Sequence, residues 1–212
     1  LGNLAKRNAL LPLLLAGLAA AIFLPNLSGA DLWDDDEPKN AACGREMLER
    51  GDWIVPVYND ELRSHKPVLL YWAMIASYKA LGVTELGARL PSALAGICIV
   101  LLCYEIARLL FDRATAFVAG LLLASGLMFA VLARAATPDA VLMICTTSAF
   151  YFFVVGISSL RGGQFSPRLG EVAPSLRTHR LPLKPAAAMY AAMGLALLAK
   201  GPIGLLLPAL VI

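Results

Sequence analysis

The chain has 212 residues, 59% of them hydrophobic, a mean hydropathy of +0.71 and a formal net charge of only +3. A water-soluble domain is about half apolar. The excess here is gathered into long runs, which excludes an ordinary soluble enzyme and points to a polytopic membrane protein. The small net charge gives no footing for nucleic acid, and Cys43, Cys98, Cys103 and Cys145 form no CxxC pair, so neither a disulfide framework nor a zinc–cysteine site is supported.

In chain order, Lys6 and Arg7 precede the apolar run Asn8–Leu24, read as an uncleaved membrane anchor. Next come Asp34, Asp35, Asp36 and Glu37, a dense anionic cluster at a membrane edge. Carboxylates this close either raise one another's pKa or take a cation as partner. That is the setting of a general base or a metal site, a solvated acidic loop being the alternative. A short helix is expected over Asn40–Arg50, ended by Gly51. Val68–Leu81 is apolar but short, and Pro67 suits the first turn of a helix there. Further spans are expected over Leu90–Leu110, Ala114–Leu132, Ala140–Leu160 and the shorter Pro185–Leu198, with another begun at residue 202. Beginning at Leu1 and ending at Ile212 within an apolar run, the chain reads as the N-terminal part of one transmembrane domain.

Loop charge assigns the sides. Lys6 and Arg7 place the N-terminus inside. The segment Asn26–Lys66, the basic-poor first part of an external loop spanning 26–89, holds ten Asp or Glu against five Lys or Arg. The loop 161–184 carries Arg161, Arg168, Arg177, Arg180 and Lys184 against Glu171 alone, and belongs inside. Both hold only if Val68–Leu81 lies in the membrane interface instead of crossing, a placement that suits Tyr71, Trp72 and Tyr78. One membrane face then collects Asp34–Glu37, His65, Lys66, Arg134, Asp139 and Lys200. Carboxylates with several cations suit a phosphate-bearing substrate.

The ordered segments "DLWDDDEPKNAACGREMLERGDWIVPVYND", "HKPVLLYW", "ELGARLPSALAG", "ARAATPDA" and "LAKGPIG" together resemble the superfamily of aminoarabinose lipid A transferases and dolichyl-phosphate-mannose–protein mannosyltransferases, the type C membrane glycosyltransferases. The resemblance runs from about Leu4 to the end of the chain. It implies an all-α polytopic fold with interfacial helices after the first span. It also implies inverting transfer of a sugar from a polyprenyl-phosphate donor to a lipid A-like or protein acceptor, among membrane lipids, at the periplasmic face of the inner membrane. Carried over by position, Asp36, Glu37 and Asp139 are the catalytic candidates, and Lys66, Arg134, Lys200 and Lys39 the donor-phosphate candidates. Lys39 stands where the family usually has Arg, and His65 where it has Glu. Three acids stand where the family often has one, so Asp35 is an alternative to Asp36. In aminoarabinose transferases the acid replaced by His65 accompanies a divalent metal. The resemblance therefore carries a divalent metal of unassigned identity, with His65 and Asp35 as candidate ligands. A secondary transporter, or a non-catalytic polytopic protein, is the competing class; a transporter would place charges near the bilayer midplane and show inverted repeats.

Overall fold

The computed structural model describes residues 2–32, 35–59, 61–63, 66–160 and 181–212. Asp34, His65 and nearly all of the basic loop 161–184 lie outside the described residues.

The described chain is mostly helical. α1 (Gly2–Phe23) leads to α2 (Asp36–Arg50), a two-stranded hairpin of β1 (Val57–Tyr58) and β2 (Glu61–Leu62), α3 (Leu69–Leu81), α4 (Glu85–Leu110), α5 (Arg113–Ser125), α6 (Leu127–Arg134), α7 (Pro138–Leu160), α8 (Leu183–Lys200) and α9 (Ile203–Val211). The antiparallel pair, with Val57 opposite Leu62, is a small departure from an all-helical chain. α4 and α7 are long and apolar enough to cross a bilayer, and α5 with α6 makes a third crossing if the bent pair is one span. α3, with 13 residues, is only about 20 Å long, short of the ~30 Å hydrocarbon core.

The side-chain pattern is that of helices packed in lipid. Lipid tails are as apolar as leucine, so helices associate through close packing of small residues more than through burial from water. Buried positions accordingly include Ala19, Ala93, Ala116, Ala124 and Ala133, whereas Leu13, Leu122, Leu127 and Leu210 are exposed. Leu15, Ala19 and Phe23, four apart on one stripe of α1, are fully buried against α4, α5 and α6. The approach is close: a Cβ on Gly96 would lie 2.6 Å from the Cβ of Ala133, and one on Gly120 2.7 Å from Leu15 Cδ1.

The run expected as a straight span over Ala114–Leu132 is broken. α5 and α6 meet at a 64° bend because Gly126 takes an extended conformation, φ −65° and ψ 118°. A break inside a span leaves backbone carbonyls without partners unless something else supplies them. Ser125 does so, its Oγ donating to the carbonyls of Leu121 at 2.9 Å and Leu122 at 3.3 Å.

α2 begins at Asp36, four residues earlier than expected, with Asp35 at its N-cap and Asp36 and Glu37 in its first turn. It ends as the sequence indicates, with Gly51 left-handed at φ 68° and its N–H on the Leu48 carbonyl. Its buried face of Glu37, Asn40, Ala41, Cys43, Gly44 and Met47 packs on α3. Gly44 lets Met74 and Tyr78 approach to van der Waals distance. Of the aromatic residues of α3, Tyr71 and Tyr78 are buried within the protein. The Tyr78 hydroxyl donates to the Ala41 carbonyl at 3.3 Å. Trp72 is the partly exposed one, its Nε1 donating to the Trp53 carbonyl at 2.6 Å.

Side-chain links gather one end of the bundle. Arg134 at the end of α6 meets the last turn of α1, Arg89 near the start of α4 meets the α1–α2 connection, and Lys200 at the end of α8 meets Asp139 at the start of α7. α2, α3 and the hairpin cover this end, where the polar residues of interest lie.

Candidate functional site

The start of α2 at Asp36 separates the last two members of the acidic run. Consecutive helical residues point about 100° apart, so Asp36 and Glu37 cannot share one environment. Asp36 faces an open cleft of about 530 Å³ between α2 and the hairpin, which Asp35, Lys39, Tyr58, Glu61, Arg63 and Lys66 also line. Glu37 turns inward and is 2% exposed.

In the cleft, Lys66 Nζ donates to Asp36 Oδ2 at 3.0 Å, and Arg63 Nη2 lies 3.7 Å from Asp36 Oδ1. The hydrogen bond from Lys66, joined by the charges of Lys66, Arg63 and Lys39, outweighs the cost of burial and holds the Asp36 carboxyl below its ordinary value. The first turn of α2 also favours the charged form through the helix dipole. Lys39, one turn along from Asp35, is paired with it. Asp35, Asp36, Lys39 and Lys66 are thus brought together as the sequence suggests.

Glu37 is the centre of a different structure. Its Oε1 and Oε2 accept from Arg89 Nε at 3.2 Å and Nη2 at 2.8 Å, and Oε1 also accepts the backbone N–H of Ala136 at 2.6 Å. Arg89 donates further to the carbonyls of Leu27 at 2.9 Å, Ala30 at 2.8 Å and Asp31 at 3.0 Å. All five guanidinium N–H groups are therefore used. This is the condition under which a buried ion pair is tolerated; removal of one partner typically costs about 3–5 kcal/mol. Asn40 adds a second tie, its Nδ2 donating to the Ala136 carbonyl at 3.0 Å. The turn between α6 and α7 is thereby fixed to α2 at both the N–H and the carbonyl of Ala136.

The remaining candidates do not enter the Asp36 cleft. Arg134 donates through Nη1 to the carbonyls of Ile22 at 2.9 Å and Phe23 at 3.2 Å, the open C-terminal end of α1. It lines a second cavity of about 370 Å³ with Glu37, Arg89, Leu127 and Val131. Asp139 and Lys200 form an ion pair joining α7 to α8. The single convergent site expected from the sequence resolves into three clusters: the Asp36–Lys66 cleft, the Glu37–Arg89–Arg134 junction and the Asp139–Lys200 pair. Lys66 and Arg63 pair with Asp36, whereas Arg134 is taken by the end of α1 and Lys200 by Asp139.

Of the two candidate metal ligands, only Asp35 lies among the described residues. Asp35 is engaged by Lys39, and no group of three or more His, Cys, Asp or Glu side chains gathers among the described residues. His65, the other candidate ligand, lies outside them.

Three residues at this end carry contacts that the sequence did not single out. Arg89 stands in the "ELGARLPSALAG" segment, and its signal is a charge at the start of an otherwise apolar run. Asn40 and Arg63 have no such mark. Arg63 is one of five basic residues in the segment Asn26–Lys66, and no spacing distinguishes it.

Residues 65–166 match the model of the family described as dolichyl-phosphate-mannose-protein mannosyltransferase. An uncharacterized protein of Aquifex aeolicus is 31% identical over 189 residues, which are 89% of this chain and 34% of that protein. The undecaprenyl phosphate-alpha-4-amino-4-deoxy-L-arabinose arabinosyl transferase of Pectobacterium carotovorum is 34% identical over 139 residues, 65% of this chain and 25% of the relative. The crystal structure of ArnT from Cupriavidus metallidurans bound to undecaprenyl phosphate superposes with a TM-score of 0.77 at 29% identity, covering 94% of this chain and 34% of that one. The chain spans about a third or less of the length of these relatives. On the family match, the ordered segments and the shared fold, the chain belongs to the type C membrane glycosyltransferase superfamily of aminoarabinose and protein-mannosyl transferases.

Proposed function

We propose that this chain is part of a glycosyltransferase that moves a sugar from a polyprenyl-phosphate donor to a lipid A-like or protein acceptor, with inversion, at the periplasmic face of the inner membrane. The observation that carries the reading is the Asp36–Lys66 pair, set 30 residues apart in sequence and held at the mouth of an open cleft. The name of the Pectobacterium relative and the ligand of the Cupriavidus structure, undecaprenyl phosphate in both, support the donor class.

The groups divide the reaction between them. Lys66, with Lys39 nearby, takes the donor phosphate and stabilises the charge it gains as the C1–oxygen bond breaks. Asp36 faces the same space and orients the acceptor. For a hydroxyl acceptor, the oxygen attacks C1 from the side opposite the phosphate. Its proton passes to Asp36, the C1–phosphate oxygen bond breaks, and the electron pair leaves with the phosphate. For a phosphate acceptor, already an anion, Asp36 acts by orientation alone. Glu37 serves from below, fixing α2 to α4 and to the turn before Asp139. Arg134 and Lys200 do not line the cleft; Arg134 secures α1 and Lys200 secures α7 to α8. No step is routed through a metal.

The test is transfer from a radiolabelled undecaprenyl-phosphate sugar by the full-length protein in liposomes. Asp36→Asn and Lys66→Met are each expected to lower the rate by about 10²–10⁴-fold. Wild-type rates in Asp36→Asn and in the Asp35→Asn/Asp36→Asn double variant would sink the assignment of Asp36.

A further inference from the structure

Of the cations described around Asp36, Arg63 is the buried one. Its side chain is 5% exposed, against 24% for Lys66 and 36% for Lys39. It leaves the hairpin just after β2, where its backbone N–H is fixed to the Pro56 carbonyl at 2.9 Å. Its Nη2 donates to Asn40 Oδ1 at 3.2 Å. The Asn40 amide is itself oriented by its bond to the Ala136 carbonyl, so Arg63 is braced against a rigid junction. The Tyr58 ring stands 5.8 Å from Arg63 Cζ, within cation–π range.

The guanidinium is nevertheless under-served. Its Nε and Nη1 are buried without a hydrogen-bond acceptor among the described residues, a rare state for buried polar groups. The carboxylate paired with it is Asp36, at 3.7 Å. A buried cation depends on its counterion far more than an exposed one does. Arg63 is therefore committed to Asp36, whereas Lys66 sits at the mouth of the cleft on a flexible stem and is free to swing.

We propose that Arg63 is a positioning residue, the counterion that stays with Asp36 when Lys66 turns to the phosphate of the donor. Asp36 enters the transfer charged and held in place on α2 because one of its two cations stays with it. The functional half of this inference rests on the glycosyltransferase reading above; the pairing itself does not.

Two measurements on the full-length protein test it. The first compares apparent melting temperatures of wild type, Asp36→Asn, Arg63→Gln and the double variant in detergent. Asp36→Asn strands a buried cation, and Arg63→Gln is expected to restore part or all of that loss. Strictly additive losses overturn the pairing. The second separates binding from turnover. Arg63→Gln is expected to lower kcat by about tenfold or more while the Kd for undecaprenyl phosphate stays within about twofold; Lys66→Met raises that Kd by about tenfold or more. Arg63→Lys keeps the charge and is expected to recover about a third or more of kcat. A Kd that rises in Arg63→Gln as it does in Lys66→Met overturns the inference in favour of direct phosphate contact. A kcat loss that lysine does not relieve overturns it in favour of a purely structural role. Where Arg63→Gln does not fold, Arg63→Met, which also removes the charge, replaces it in both comparisons with the same outcomes expected. A wild-type protein without transfer activity refutes the proposed reaction, and the melting cycle still decides whether Arg63 and Asp36 are partners.

Discussion

Asp36 and Glu37 are chemically near-identical neighbours placed in opposite environments. Asp36 is half-exposed, hydrogen-bonded by Lys66 and open to a cleft; Glu37 is sealed with Arg89 under the first turn of α2. The ionisation of Asp36 has a measurable consequence. Its folded-state carboxyl is held below 3.8, chiefly by the hydrogen bond from Lys66. A depressed carboxyl contributes stability that is fully present above its unfolded value and is lost as pH falls through the folded one. The melting temperature of wild type is therefore expected to exceed that of Asp36→Asn by a constant margin from about pH 7 to pH 5, and the margin to close as pH falls below 3.8. A margin that instead closed between pH 7 and 5 would mean that Asp36 is not held by its cations. The neighbouring acid was readable in the sequence as part of a cluster, but which member faces the cleft was not. That depends on where the helix begins, and Asp36 is itself the first residue of α2.

The elements fit together through small residues, as lipid requires. Gly96 is one such close approach, since a Cβ there would meet the Cβ of Ala133 at 2.6 Å and the Phe23 ring at 3.3 Å. Neither neighbour is the free end of a flexible chain. Gly96→Leu is expected to cost about 1–3 kcal/mol or more through overpacking, read as a lower apparent melting temperature in detergent. Gly17→Leu, at a position with open space around it, is the control expected to change little. Equal effects at the two sites would show that the α1–α4–α6 contact is not tight in the protein. The existence of these helices was legible from their apolar runs, and the stop at Gly51 from its residue type. The bend at Gly126 was not, because a glycine inside an apolar run is compatible with a continuous span as well as a broken one.

At the scale of the whole molecule, one end of the bundle is knitted by contacts between residues far apart in sequence, from Glu37 with Arg89 to Asp139 with Lys200. The far end holds the α4–α5 turn around Asp112, whose carboxylate caps α5 by accepting from the N–H groups of Ala114 at 2.8 Å and Thr115 at 3.1 Å. Loop charge assigns the first end to the outside and the second to the cytoplasm. In a background without native cysteines, Glu49→Cys is expected to react with a membrane-impermeant maleimide in spheroplasts. Arg113→Cys is expected to react only after permeabilisation. The reverse pattern would invert the topology and remove the periplasmic cleft from the proposed reaction.

The sequence by itself determined the class of molecule, most of its helices, the family and the pairing of an acidic run with Lys66 on one face. These follow from composition, hydropathy period, loop charge and ordered motifs, all of them local or additive along the chain. Only the tertiary structure decided how the charges are shared. It sent Glu37 to Arg89, Arg134 to the end of α1, Lys200 to Asp139 and Arg63 to Asp36. Charge pairing is a competition settled by distance, and distances between residues 27 to 112 positions apart exist only once the helices have packed.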